Sequence, residues 1–326
     1  MSTNILETNA GSNIYPPAKA PTIYFIGVTT GKSSIMRVFP EWAAYLGLKD
    51  AVIKGVDFKP HDEPAGYRVI VEHIKADELS LGALVTTHKI DLLKACRDMF
   101  DVLDPHAQLT GEISCISKRF GKLIGHAKDP ITSGFALDAF LPLNYWEKTG
   151  ADMFVIGAGG STTALTCHLI GKDMNGGVPG KIYISNRSLP RLQELESLHN
   201  KIPHKIEFEY HHAPRPDQND AIMARLKPYS LVINATGLGK DAPGSPLTGN
   251  SLFPMNGIAW DFNYRGDLVF IDQAQAQQAS RNLTIKDGWI YFIHGWTRVV
   301  AEVFNIDIPV KGPRFNDLSE IAKNGR

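Results

Sequence analysis

Cysteine is scarce in this chain of 326 residues: there are three, Cys96, Cys115 and Cys167. Their wide spacing forms neither a disulfide framework nor a metal pattern, so a reducing cytoplasm is the expected setting. An excess of charge is also missing, because 34 Lys and Arg balance 34 Asp and Glu. That balance gives no footprint for nucleic acid or a membrane surface, and neither is expected as a partner. No apolar run approaches the ~18 residues a membrane-spanning helix needs. Met1 to Ala20 lacks the apolar stretch of a secretory signal and reads as a flexible tail. Internal repeats and low-complexity segments are absent. The pair His211-His212 has no further ligand at suitable spacing beside it. It reads as part of a solvated loop, and no metal is expected.

Against these absences stands the run Asp152-Met153-Phe154-Val155-Ile156-Gly157-Ala158-Gly159-Gly160-Ser161. It is an apolar strand that ends in a glycine turn and opens a helix over 161–170. Gly157 permits the tight turn, and Gly159 lets the backbone come close to a pyrophosphate. The helix start then offers free N–H groups and the positive end of its dipole to that anion. The strict G-x-G-x-x-G pattern is not met, since its third glycine falls at Thr162 and Gly160 is an extra one. The context is that of a nucleotide-binding unit: one crossover helix leads to a second strand, Lys181 to Ser185, ending in Asn186-Arg187-Ser188. An acidic residue there would suit a free ribose 2′-hydroxyl, whereas Arg suits a 2′-phosphate. NADP is therefore expected over NAD.

The rest of the chain alternates strand and helix. Strands are expected over 22–28, 51–58 and 82–86, helices up to Gly47 and over 66–76 and 90–100, and a hairpin turning at Phe120-Gly121. Residues 132–141 read as a helix bridging two domains. Further strands are expected at 206–211, 231–234 and 257–262, with an element over 221–226 and a long helix over 289–304. Such alternation implies parallel sheets covered on both faces, with ligands at the carboxyl ends of the strands.

The chain resembles the shikimate/quinate dehydrogenase family. Gly157-Ala158-Gly159-Gly160-Ser161, Ser185-Asn186-Arg187-Ser188 and Asn234-Ala235-Thr236-Gly237-Leu238-Gly239 recur in that family's order and spacing. Thr86-Thr87-His88-Lys89 is similar to the end of its Asn-Val-Thr-x-Pro-His-Lys segment, and Gly121-Lys122-Leu123-Ile124-Gly125 with Asp129 is similar to its Gly-x-Leu-x-Gly-x-Asn-Thr-Asp. The resemblance implies an α/β protein of two domains with a cleft between them. A substrate domain would cover 21–130, completed by 290–326, and a Rossmann-type NADP-binding domain would cover 131–289. It implies Lys89 as catalytic acid/base and Asp129 as its orienting partner. A lysine can deliver or accept the proton that accompanies hydride transfer at a substrate oxygen, and a neighbouring carboxylate holds the ammonium in place. Cofactor contacts are implied for Gly157, Ala158, Gly159, Gly160, Ser161, Asn186, Arg187, Ser188, Thr236 and Gly288, and substrate contacts for Ser33, Ser34, Thr87, Ser114 and Tyr264.

The departures from the family pattern concentrate on the substrate side. Ser33 matches the first serine of a Ser-x-Ser pair, but Ile35 stands at the second position with Ser34 between. Ala83, Val85, Ser114, Ala127 and Lys128 replace polar residues of the pattern, and Gly295, beside His294, stands where a glutamine is expected. A site that bonds hydroxyls discriminates strongly, so losing several such groups points away from shikimate itself. The expected protein is an NADP-dependent oxidoreductase that moves hydride between nicotinamide and a ring or polyol hydroxyl or ketone. Its partner would be a hydroxy acid or cyclitol-like molecule, and a homodimer is allowed. Thr29, Lys32, Thr87, Lys128 and His294 are candidate replacement contacts. The alternative is a catalytically silent ligand-sensing or regulatory homologue that binds NADP(H).

Overall fold

The structure, a computed structural model, describes residues 15–173, 177–240 and 242–325, together with the backbone of Ile5–Leu6. It divides into two compact units: 1–128 with 293–326, and 129–292.

The first unit opens with β1 (Ile5–Leu6), β2 (Thr22–Gly27), α1 (Ile35–Leu46), β3 (Val52–Asp57), α2 (Pro64–Ala76), β4 (Ser80–Val85) and α3 (Lys89–Cys96). It continues with β5 (Val102–Leu103), α4 (Pro105–Thr110), β6 (Cys115–Arg119) and β7 (Lys122–His126). The strands form one sheet in the order β1-β3-β2-β4-β6-β7-β5. β1, β3, β2 and β4 run parallel, while β4–β6 and β6–β7 pair antiparallel. The β6–β7 hairpin turns at Phe120 and Gly121, both with positive φ (50° and 73°), the backbone twist a two-residue hairpin loop favours. All six residues of β2 are buried, as expected of a central strand. The flexible-tail expectation fails at two places. Ile5–Leu6 pairs with Gly55–Val56, and Tyr15 and Ala18 are buried; β-pairing and apolar burial tie down a segment that composition alone read as loose. Residues 1–4 and 7–14 lie outside the described residues.

The second unit begins with α5 (Asp129–Asp138) and α6 (Tyr145–Thr149). The helix expected to bridge two domains thus starts earlier, at Asp129, and lies wholly in this unit. There follow β8 (Met153–Ile156), α7 (Gly160–Asp173), β9 (Lys181–Asn186), α8 (Leu189–His199), β10 (Glu207–His212), α9 (Pro216–Met223), β11 (Leu231–Asn234), β12 (Ile258–Asp261), α10 (Val269–Gln275), α11 (Gln278–Arg281) and β13 (Thr284–Lys286). All six strands are parallel in the order β10-β9-β8-β11-β12-β13. Counted from β8 this is 3-2-1-4-5-6, the Rossmann order. Strand periodicity splits the core between two faces. Met153, Val155, Ile182, Ile184, Leu231 and Ile233 join one buried cluster, and Phe154, Ile156, Tyr183 and Val232 join another.

His211 and His212 end β10 rather than lying on a loop. His211 sits 2.9 Å from Glu209 and stacks on Tyr183, so its neighbours are those of a strand face. Among the described residues no group of three or more potential metal ligands is found. No helix among them is long and apolar enough to cross a membrane.

The chain ends with α12 (Trp289–Phe304) and α13 (Pro313–Lys323), and the division between the units falls within α12. The C-terminal segment is stitched into the first unit. Trp42 Nε1 donates to Leu318 O at 2.8 Å, Tyr45 Oη donates to Asp317 at 2.6 Å, and Phe25 meets Trp296 edge-on at 5.0 Å.

Candidate functional site

In the second unit the strand order reverses between β8 and β11, the place where open α/β sheets bind ligands. β8 ends at Ile156 and the chain turns at Gly157, whose φ is +113°. A Cβ there would lie 2.8 Å from Ala235 O, so both backbone conformation and packing demand glycine. Gly159 is different: a Cβ there would meet nothing within 4 Å. The space beside it is a cavity of about 440 Å³ whose wall includes Gly157, Ala158, Gly159, Asn186, Arg187 and Thr236. Six expected cofactor residues from three different strand ends are thereby brought together. Gly160 and Ser161 open α7 next to this turn.

The wall is fixed by bonds behind it. Thr236 N–H and Oγ1 both donate to Asn234 Oδ1, at 3.0 and 2.6 Å. Asn234 Nδ2 in turn donates to Asp261 at 3.1 Å. Burial pushes the Asp261 carboxyl up to about 7, against the opposing effect of the N–H bonds it accepts. Asn186 Nδ2 donates to the carbonyl of Ser188, the residue that precedes α8, at 3.1 Å. Gly288 has another role: a Cβ there would stand 2.0 Å from Phe262 O, so its smallness serves chain packing. The Tyr264 ring packs against Trp289 and Phe292, 5.4 and 4.7 Å between centroids.

Three polar residues of this cavity wall are not among the expected cofactor contacts: Ser185, which stands in the quoted motif, Arg215 and Asn219. Arg215 is held by Asp217 through two bonds of 3.0 Å. The signal was available, because the strand at 206–211 was legible and residues just past a strand's carboxyl end are where ligand contacts gather.

In the first unit Lys89 is the first residue of α3, and its carbonyl accepts from Ile113 N at 3.3 Å. Thr87, two residues earlier, has φ +45°, an uncommon conformation for a β-branched residue, and the turn is closed by His88 N–H donating to Thr86 O. Between them His88 is buried, with Nε2 3.1 Å from Gly27 O and Nδ1 2.9 Å from Tyr67 Oη. A carbonyl only accepts, so Nε2 carries the proton and Nδ1 accepts from the tyrosine. Burial pushes the His88 pKa down, which keeps the ring neutral and the turn before Lys89 fixed.

The expected substrate residues are less free. Ser114 is buried, and its Oγ accepts from Lys128 N–H at 2.8 Å. The Lys128 ammonium lies 2.8 Å from Glu302, which also faces Arg119 and His126 at 3.5 and 3.6 Å. Lys128 as a contact to an anionic substrate group is therefore corrected: an internal carboxylate already occupies it. Ser33 N–H donates to Thr30 O, Ser34 is buried where α1 begins, and Lys32 is exposed. His294 is buried and stacked on Phe315 at 4.5 Å, and burial pushes its pKa down to about 4. Asp129 opens α5 and belongs to the second unit, whereas Lys89 belongs to the first.

Fold and cavity define a two-unit α/β protein whose second unit is of the dinucleotide-binding type. No protein-family model matches the chain. In sequence it is 27% identical, over 182 residues, to the shikimate dehydrogenase (NADP(+)) of Streptococcus thermophilus. That match spans 55% of this chain and 58% of the relative. In fold it is similar to a crystal structure of shikimate dehydrogenase from Aquifex aeolicus, with a TM-score of 0.70, 17% identity, and coverage of 95% of this chain and 99% of that one. A 5-ketofructose reductase from a Gluconobacter strain shares the fold with a TM-score of 0.66, 19% identity, and coverage of 94% and 99%. The chain is thus similar in sequence to a shikimate dehydrogenase over somewhat more than half its length, and it shares the two-unit fold of the shikimate dehydrogenase structure.

Proposed function

We propose that the protein is an NADP-dependent oxidoreductase acting on a CH–OH group, moving hydride reversibly between nicotinamide and a ring or polyol hydroxyl or ketone. The observation that carries this reading is the cavity at the reversal of the second unit's strand order. There a glycine with open space beside it, a helix start and Arg187 stand together. The donor set fits the cofactor: backbone at Gly159 admits a pyrophosphate, and a guanidinium suits a 2′-phosphate. The bound nicotinamide would supply or take the hydride. The chain's own residues handle the proton, with Lys89 delivering it to a carbonyl oxygen during reduction and taking it from the hydroxyl during oxidation. Asp129 orients that ammonium, so the reading requires the two side chains to meet during turnover. The flexible Lys stem suits proton delivery, and the rigid His88 turn fixes where the stem starts.

The substrate in this reading is a hydroxy acid, cyclitol or keto-sugar other than shikimate. The altered polar positions support it, and so does the engagement of Ser114 and Lys128 with other groups of their own unit. The relative named for shikimate and the fold neighbour named for 5-ketofructose bracket the chemical range.

The test is a screen of such substrates that follows NADPH absorbance, with Lys89→Ala as control. The variant should lose about 10²-fold or more in kcat while binding NADPH as tightly as the parent in calorimetry. Unchanged turnover in Lys89→Ala sinks the assignment of Lys89. Tight NADPH binding without turnover on any substrate would favour the ligand-sensing alternative.

A further inference from the structure

The same cavity holds two buried polar atoms that the cofactor contacts described above leave unused. Ser185 is fully buried at the end of β9 and Asn219, on α9, is 5% exposed. Among the described residues neither Ser185 Oγ nor Asn219 Oδ1 has a hydrogen-bond partner, and both residues line the cavity. A buried polar group without a partner is destabilising, so such a group in a cavity wall calls for a ligand.

The polarity of the Asn219 amide is fixed. Its Nδ2 donates to Pro246 O at 2.9 Å, and flipping the amide would set two acceptors against each other. The free atom is therefore an acceptor and needs a donor from the ligand. Ala213, Pro214, Pro216 and Pro246 share the wall and present apolar surface. Flat apolar faces beside one inward acceptor match an aromatic ring that carries an amine on its edge.

We propose that Asn219 is a specificity-determining residue that reads the purine of the dinucleotide: its Oδ1 accepts from the exocyclic amine of adenine. A 6-oxo purine would turn a carbonyl oxygen toward that acceptor and be rejected. Proline and alanine walls sandwich the ring, and Ser185 supplies a second polar contact deeper in the wall. The inference rests on the dinucleotide reading above and adds which base the site selects.

The experiment compares the full-length protein's affinity for NADPH and for reduced nicotinamide hypoxanthine dinucleotide phosphate, in which an oxygen replaces the amine. The parent should bind NADPH about 10-fold or more tighter. Asn219→Leu should bring the two affinities together, chiefly by weakening NADPH, and Asn219→Asp, which keeps an acceptor, should retain part of the preference. Equal affinities in the parent overturn the proposal and leave the dinucleotide reading standing. So does a preference that survives in Asn219→Leu. If the parent binds neither compound, both readings fall. The parent's ratio decides the matter even if a variant does not fold.

Discussion

In the second unit several polar groups near the strand ends line open space, whereas those described in the first are bonded to one another. Gly159, Arg187, Ser185 and Asn219 surround a cavity. Ser114, Lys128, Glu302 and His88 satisfy their neighbours. The contrast separates two kinds of evidence. A cavity with unsatisfied atoms states what it lacks, and its ligand can be argued from the missing partners. A network that has closed on itself shows how a turn is held, and it is silent on what lies beyond.

The sharpest way to break this contrast is at the two glycines of one turn. Gly159→Leu should raise the NADPH Kd by about 10²-fold or more while leaving thermal stability within about 0.5 kcal/mol, because the added atoms enter space that no protein atom occupies. Gly157→Ala should do the reverse damage first, costing about 1–3 kcal/mol from its positive φ and the 2.8 Å approach to Ala235 O. Calorimetric titration and thermal melts on the pair separate the two effects. Arg187→Gln comes next: NADPH affinity should fall about 10-fold and NADH affinity hardly at all, since only the former carries the extra phosphate. Equal losses for both dinucleotides would remove the basis for preferring NADP.

In the first unit, Lys128→Met should act on stability rather than on cofactor binding. It leaves the half-buried Glu302 with Arg119 and His126 alone, a loss of about 1–2 kcal/mol seen as a melting temperature lower by a few degrees. A wild-type melting curve with strongly reduced NADPH affinity would contradict this placement. A separate effect, independent of the cofactor, is acid lability. Burial pushes His199 down to about 3 and His294 to about 4, from an ordinary value of 6.5. Between pH 6.5 and those values the unfolded chain binds protons that the folded chain does not. These two histidines should therefore lower stability as pH falls through that window, while Asp261, raised to about 7, acts in the opposite sense above its ordinary range; denaturant midpoints would record the balance. His199→Gln should flatten the curve.

The second unit was the more legible in sequence, for a physical reason. Its central strands β8, β11 and β12 are buried along their whole length and are mostly apolar, and its glycine turn has a fixed spacing to Asn186-Arg187. Gly47 as the cap of α1, Trp289 to Phe304 as a helix, and the turn at Phe120-Gly121 were equally plain, because each depends on local conformation. What could not be read depends on partners distant in sequence. β1 is two residues long and exists only by pairing with β3; Lys128 meets Glu302 across 174 positions. The unsatisfied acceptor of Asn219 arises because Pro246 takes the other end of its amide, which no spacing rule reveals. Nor did composition hint that Tyr15 and Ala18 are buried.

Because α13 and most of α12 belong with residues that precede 129, synthesis on the ribosome delivers the two bodies out of step. The sheet of the first emerges early but lacks the two helices that meet Trp42, Tyr45 and Phe25 until the entire intervening body has been made. The second is contiguous and can fold as it leaves the exit tunnel. A nascent chain stopped near 292 would carry a finished cofactor fold behind an unfinished sheet, a natural client for a chaperone.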